Sequence, residues 1–340
     1  MYIIGLLLIW VFSALSVAYL IKSSRQQGRI DVPNERSMHT TETPTGAGIV
    51  ISACLIATVA LFAIFKRDSI ALYLLVILSV LTVVGWLDDK RNMGIWHRLA
   101  AFFVLAILLC FGVGTIEDIQ ITNQLIIQFP FWLACIFTSI GFVWVVNLYN
   151  FMDGMDGLAA IQTIVAAFGF SVIFLQSMSN LSWMLVSINS VLIASTIGFL
   201  IWNWHPAKIF MGDVGSLPIG GFFAVLIVCS VVYFQVSLWN AILMIGVFVF
   251  DTAFTLLRRA IKGENITQAH SSHLYQRLAK CGIAHHKIVF AYTMLMIACA
   301  GIAILSEQNV ISSLLAGVFV LIGVISLLIT VHKLESSLNE

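Results

Sequence analysis

Five aspartates stand at the ends of hydrophobic spans, in three short tags: Trp86-Leu87-Asp88-Asp89, Asn150-Phe151-Met152-Asp153-Gly154-Met155-Asp156-Gly157-Leu158 and Phe210-Met211-Gly212-Asp213-Val214-Gly215-Ser216. Carboxylates are among the least favourable groups to place near a bilayer, so they are rare there and functional by default. Gathered at one face, they make a polyanionic pocket that is stable only around a cation. A cation held between carboxylates is how proteins handle phosphate groups.

Each tag has a plainer reading. Asp88 and Asp89 end a span and have Lys90 and Arg91 beside them as partners. An acidic pair at a helix C-terminus opposes the macrodipole, however, and is a poor capping choice. Asn147, Asn150, Asp153 and Asp156 recur every three residues, which keeps their side chains on one side of a helix or 3₁₀ turn. That stripe, amides deeper and carboxylates at the rim, must face a cavity rather than lipid. It lacks the ligand spacing and terminal Glu of an EF-hand. Asp213 lies between Gly212 and Gly215, with Ser216 following. The pattern suggests a tight turn with free N–H groups at a helix N-terminus, which attracts phosphate, and an Asp placed to hold a metal. The alternative is Asp and Ser as ordinary helix caps.

The elements that position these tags are hydrophobic. Of 340 residues, 60% are hydrophobic and 10% charged, against roughly 25% charged in a soluble domain. A spanning helix needs about 20 apolar residues. Stretches free of Asp, Glu, Lys and Arg predict an all-α polytopic membrane protein with 11 spans: 2–21, 45–65, 70–87, 98–116, 129–148, 158–177, 181–201, 216–235, 237–257, 286–304 and 308–331. The first span lacks a basic leader and a small-residue cleavage site, so it reads as a retained anchor with its N-terminus outside. In that orientation all but Lys66 and Arg67 of the 17 Lys and Arg fall on inner segments, as the positive-inside rule requires. The C-terminus and all three aspartate tags are then cytoplasmic. The longest inner segments, 22–44 and 258–285, are too short for cores of their own, so the chain reads as one membrane domain over 1–340. The net charge of +1 points to no nucleic acid. The six cysteines are scattered without a CxxC pair and read as apolar filler.

Three further features are weaker. Segment 31–48, with Arg36, His39, Pro44, Thr45 and Gly46, is a Pro/Gly-shaped inner loop entering the second span. In the loop 258–285, His270, His273 and Arg277 follow i, i+3, i+7 spacing. They are expected on one helix face, as a donor-rich arm over an anionic substrate. A zinc site there lacks Cys or acidic ligands at a known spacing. Asp251, inside the ninth span, is expected either to pair with Arg258 or to join the pocket.

In order and on one face, five segments resemble those of the polyprenyl-phosphate N-acetylhexosamine-1-phosphate transferases, glycosyltransferase family 4. They are DVPNERSMHTTETPTGAG, GWLDDK, NLYNFMDGMDGLA, NWHPAKIFMGDVGS and HSSHLYQRL. That superfamily includes phospho-MurNAc-pentapeptide translocase. The resemblance implies transfer of a sugar 1-phosphate from a UDP-sugar to a polyprenyl (undecaprenyl) phosphate, with UMP released and Mg²⁺ required (Mn²⁺ as an alternative). It implies Asp213 as the metal ligand and Asp88 and Asp89 as the catalytic acidic pair. Asn150, Asp153 and Asp156 would line the nucleotide-sugar site, with Asn147 deeper on the same stripe. Phe210 and Asn203 would hold uracil, and His270 and His273 stand at the family's histidine motif. The peptidoglycan enzymes resemble a three-histidine run there, whereas this chain has His270-Ser271-Ser272-His273. The resemblance is therefore closer to enzymes that start O-antigen (lipopolysaccharide) or related surface glycans, with a HexNAc or deoxy-HexNAc as the sugar. It further implies a bacterial inner membrane and, in some members, a homodimer. Asp88 has two roles open to it, a base for the lipid phosphate or an organiser of metal and phosphate. The rival class is a transporter. Transporters place polar groups at mid-membrane, often in repeated halves, and this chain shows neither.

Overall fold

The computed structural model describes residues 2–27, 30–33, 38, 41–91, 93–120, 126–265, 268, 270–311 and 313–339. His39 and Arg36 lie outside these. In chain order the elements are α1 (Tyr2–Gln27), β1 (Ile30–Asp31), β2 (Thr43–Pro44), α2 (Gly48–Phe65), α3 (Ser69–Arg91), α4 (Ile95–Gly112), β3 (Asp118–Gln120), β4 (Ile126–Gln128), α5 (Phe131–Met152), α6 (Leu158–Phe174), α7 (Asn180–Asn203), α8 (Asp213–Phe234), α9 (Leu238–Leu243), α10 (Gly246–Ile261), α11 (Leu274–Lys280), α12 (His285–Glu307) and α13 (Ser313–Asn339). Each expected span has a helix. Among the described residues, eight helices are long and apolar enough to cross a membrane, and α6 is a shorter apolar one. Two small antiparallel ribbons, β1–β2 and β3–β4, are the only sheets among the described residues.

The ninth expected span is not one helix. It breaks between α9 and α10, at Met244 and Ile245. A broken helix inside a membrane protein must have its freed backbone groups satisfied by neighbours. Gln162 of α6 supplies one such bond, donating from Nε2 to the Met244 carbonyl at 3.0 Å. Periodicity alone did not reveal this break.

Helix α8 is the hub. It is apolar on all sides and buried along nearly its whole length, so protein rather than lipid surrounds it. It packs chiefly against α3 and α5, and its N-terminal half also meets α2. Small residues make those approaches close, as is usual where membrane helices pack. A Cβ on Gly85 of α3 would lie 2.2 Å from the Asp213 carbonyl oxygen, and one on Gly48 of α2 would lie 2.4 Å from Gly215 Cα. Pro218 sits inside α8 and has no N–H for the Val214 carbonyl one turn back. The Ser52 hydroxyl of α2 donates to that carbonyl instead, at 2.8 Å. Ahead of α2, the chain lies beside the approach to α8. Phe210 N–H donates to the Pro44 carbonyl at 2.8 Å, and Gly48 N–H donates to the Met211 carbonyl at 2.8 Å. The α2 entry and the α8 entry are thereby fixed to each other.

The Gly85 contact gives a direct test. Gly85→Ala must push against backbone, which cannot rotate away, and should destabilise by about 3 kcal/mol or more. Gly141→Ala, with nothing within 4 Å of the added carbon, should be neutral or stabilise by up to about 1 kcal/mol. Thermal unfolding of the two purified variants in detergent separates them.

Candidate active site

The ends of α3, α5 and α8 meet around a cavity of about 550 Å³. Its lining includes Asp88, Asp89, Asn150, Asp153, Asp156, Asp213, Asn203, Phe210 and Thr45. The three aspartate tags are thus brought together, although 124 residues separate Asp89 from Asp213.

Arg98, in the first turn of α4, holds the cluster. Its Nη1 pairs with Asp88 Oδ2 and reaches Asp213 Oδ2 at 3.4 Å. The other oxygen of Asp88 accepts the Met93 N–H at 2.6 Å. Asn150 donates from Nδ2 to Asp213 Oδ1 at 2.6 Å and lies 3.1 Å from Ser216 Oγ. Sequence reading used Arg98 only as a topological charge. Its signal was there, a cation in the first turn of the helix that follows the acidic pair.

Asp89 takes a different part from its neighbour. Its two oxygens accept the N–H groups of Asp213, at 2.9 Å, and Val214, at 3.1 Å. It therefore caps the N-terminus of α8, where a carboxylate complements the helix dipole. Gly212 makes room for it. Its φ is +75°, and a Cβ there would come within 2.8 Å of Asp89 Oδ2. The expectation of free N–H groups at this turn, open to phosphate, is therefore corrected, because Asp89 occupies those of Asp213 and Val214.

The Asn/Asp stripe is only partly realised. Helix α5 ends at Met152, and Asp153 caps it outside helical geometry. Asn150, Asp153 and Asp156 line the cavity, but Asn147 does not. Its amide bonds back to the Val143 carbonyl of its own helix at 2.7 Å. Withdrawal from water, and then the charges of Asp213 and Asp89, push the Asp153 carboxyl well above the usual carboxylate range. A divalent cation beside it would cancel the Coulombic part of that push. Asn203 also lines the cavity, but both ends of its amide are engaged. Its Oδ1 accepts the Gly157 N–H and its Nδ2 donates to the Ile209 carbonyl, both at 2.9 Å. It shapes the wall on which Phe210 sits.

The histidine loop departs furthest from expectation. His270 precedes the helix and His273 is its N-cap, so the three residues do not share a helix face. None of His270, His273 and Arg277 lines the cavity. His273 Nδ1 meets Asp251 Oδ1 at 3.1 Å. Asp251 is fully buried and also accepts the N–H groups of Leu274 and Tyr275 and the Tyr292 hydroxyl, at 2.9, 3.2 and 2.7 Å. Arg258 is not among the partners found for it. Arg277 makes a two-pronged pair with Glu335 of α13, at 2.7 and 2.5 Å. Burial, then the nearby His273 and Arg259, lower the His270 pKa to about 4, so it is neutral near pH 7. The loop is therefore a strut. It meets the site through Tyr275, whose hydroxyl donates to the Phe151 carbonyl at 3.3 Å, and through Gln276, which lines the cavity.

A family model described as glycosyl transferase family 4 matches residues 71–231. The chain is 31% identical over 292 residues to a probable undecaprenyl-phosphate N-acetylglucosaminyl 1-phosphate transferase of Bacillus subtilis, across 85% of this chain and 79% of that relative. The chain belongs to glycosyl transferase family 4. It is also 31% identical over 308 residues to a phospho-N-acetylmuramoyl-pentapeptide-transferase of Enterococcus faecalis, across 84% of this chain and 90% of the relative. The identity to these two relatives is equal, so it shows the family and does not choose between its branches. Its apolar helices and these relatives make this family 4 chain a multi-pass integral protein of the bacterial inner membrane.

Two outcomes follow for the family 4 site. Asp89→Ala should remove the α8 cap and lower stability by about 1–2 kcal/mol, while Asp89→Asn, which still accepts a hydrogen bond, should lose less. Melting of both variants checks this. The folded chain disfavours protonation of His270, whose pKa moves from 6.5 to about 4. Native stability therefore declines as pH falls through that window. A scan of melting temperature from pH 7 to 4.5 should fall more steeply for the native chain than for His270→Gln.

Proposed function

We propose that this chain transfers a HexNAc 1-phosphate, or its deoxy form, from a UDP-sugar to undecaprenyl phosphate at the cytoplasmic face of the membrane. The products are undecaprenyl-diphosphate-sugar and UMP, and the product starts a surface glycan such as O-antigen. The observation that carries this is the cluster of four carboxylates, Asp88, Asp89, Asp153 and Asp213, beside Phe210 in one cavity. Its volume of about 550 Å³ suits a nucleotide-sugar-sized ligand.

The donor set fits Mg²⁺. It is all oxygen, as a hard cation prefers, and Arg98 is the one cation bonded to these carboxylates among the described residues. Asp213 and Asp153 are the ligands best placed to hold it, since Asp89 is engaged by α8 and Asp88 by Met93 and Arg98. When bound, Mg²⁺ supplies charge neutralisation on the donor diphosphate and on the departing UMP.

The chain's own residues supply the rest. A lipid phosphate oxygen forms a bond to the sugar-bearing phosphorus, and the bond from that phosphorus to the bridging oxygen breaks, releasing UMP. The attacking monoester has its second pKa near 6, so at pH 7 it is mostly dianionic and needs little help from a base. Asp88 has both oxygens already hydrogen-bonded, which favours the organiser role over the base. Asn150 orients the Asp213 carboxylate through its amide. Phe210 offers a face on which uracil stacks.

The test is release of UMP by the purified protein in detergent from a panel of UDP-sugars, with and without undecaprenyl phosphate. The expected result is lipid-dependent and Mg²⁺-dependent turnover of a UDP-HexNAc. Turnover of UDP-MurNAc-pentapeptide alone would move the chain to the peptidoglycan branch, and no lipid-dependent release would sink the proposal. Asp213→Asn should lower kcat by roughly 100-fold or more. Phe210→Ala should raise KM for the nucleotide sugar by about tenfold, the loss of one base stack.

A further inference from the structure

Beside the cavity, which Asp156 lines, a second group of side chains converges from three parts of the chain. Asp156 comes from the turn after α5, His205 from the turn after α7, and His285 from the first residue of α12. One donor atom from each lies within 4.8 Å of those of the other two. His205 Nδ1 is 2.7 Å from Asp156 Oδ2, which also accepts the Ala207 N–H at 3.0 Å. The His205 and His285 rings are 5.1 Å apart. His285 Nδ1 is closed off from water and has no hydrogen-bond partner. A buried imidazole nitrogen without a partner is unfavourable unless something takes its lone pair or its proton.

We propose that Asp156, His205 and His285 form a binding site for a transition-metal ion of the Zn²⁺ class. The donor types carry the assignment. Two imidazoles and one carboxylate, with a position left open, are a set that Zn²⁺, Co²⁺ and Fe²⁺ favour and Mg²⁺ does not. The cluster at Asp88, Asp89, Asp153 and Asp213 is the converse, all oxygen and suited to Mg²⁺. The two groups therefore sort metals by donor softness. The Ala207 N–H holds the Asp156 carboxylate in place from behind, as outer partners of metal ligands do. On binding, the ion takes the place of the direct contact between Asp156 and His205 and brings His285 in as a third ligand. His205 is about two-fifths exposed, its side chain at 38%, so the ion reaches the site without unfolding. Because Asp156 also lines the cavity, occupancy ties α12 to the cavity rim and withdraws that carboxylate from any ligand inside.

The experiment is a Co²⁺ titration of the purified full-length protein in detergent, with Mg²⁺ in excess to fill the oxygen cluster. The expected result is one equivalent of Co²⁺ with the intense visible absorption of a four- or five-coordinate nitrogen-oxygen site. That signal should be displaced by Zn²⁺, weakened about tenfold or more in affinity by His205→Gln and by His285→Gln, and retained in Asp213→Asn. Should a variant fail to fold, histidine modification of the native protein gives a second reading. Zn²⁺ should protect His205 and His285 from an acylating reagent and leave the exposed His286 reactive. A Co²⁺ signal that survives both histidine variants, one lost only in Asp213→Asn, or the absence of any signal and any protection would overturn the site. In that case the three side chains are a hydrogen-bonded network only.

Discussion

Like charges repel most where water is least available to screen them, and four carboxylates at one end of a helix bundle face that repulsion directly. The fold meets it unevenly. Asp89 gives its oxygens to the backbone of α8, and Asp88 divides its pair between the Met93 N–H and Arg98. Asp213 has the Asn150 amide and a longer contact to the same Arg98. Asp153 has the least, and withdrawal from water, with the charges of Asp213 and Asp89, raises its proton affinity well above the usual carboxylate range. The result is a graded set of acids, from fully engaged to barely engaged, rather than four equivalent ligands.

Much of this was legible in the sequence because it is local. Charge-free stretches located a helix for every expected span, and the three aspartate tags named the cavity floor before any geometry was available. What was missed is non-local. Asp89 looks like a poor cap for α3, and it is one, because the helix it caps begins at Asp213. Nothing in the spacing around residue 89 carries that. Spacing likewise suggested one helix face for His270, His273 and Arg277, but the helix starts only at Leu274. Their true partners, Asp251 and Glu335, are 22 and 58 residues from His273 and Arg277 respectively. Asp251 was expected to pair with Arg258 or to join the pocket, and its bonds go instead to His273, Leu274, Tyr275 and Tyr292. The break between α9 and α10 was hidden because both halves are apolar and run continuously in composition.

Two irregular points among the described helices are repaired from another helix. Pro218 frees a carbonyl in α8 and Ser52 of α2 covers it. The α9–α10 break frees the Met244 carbonyl and Gln162 of α6 covers it. In a soluble protein, water could serve either place. Here the covering residue must come from the protein, so each irregularity also fixes the spacing of two helices.

Helix α8 carries Asp213 at its tip and is wrapped by protein along its length. Only its last turn, with Val232 and Tyr233, is open to the bilayer. Thinning, thickening or a change of acyl chain would act first on outlying helices such as α1, whose surface is largely exposed, and only through them on the mast that supports the acidic floor. Such a layout insulates the depth and tilt of the chemistry from the material in which the enzyme floats.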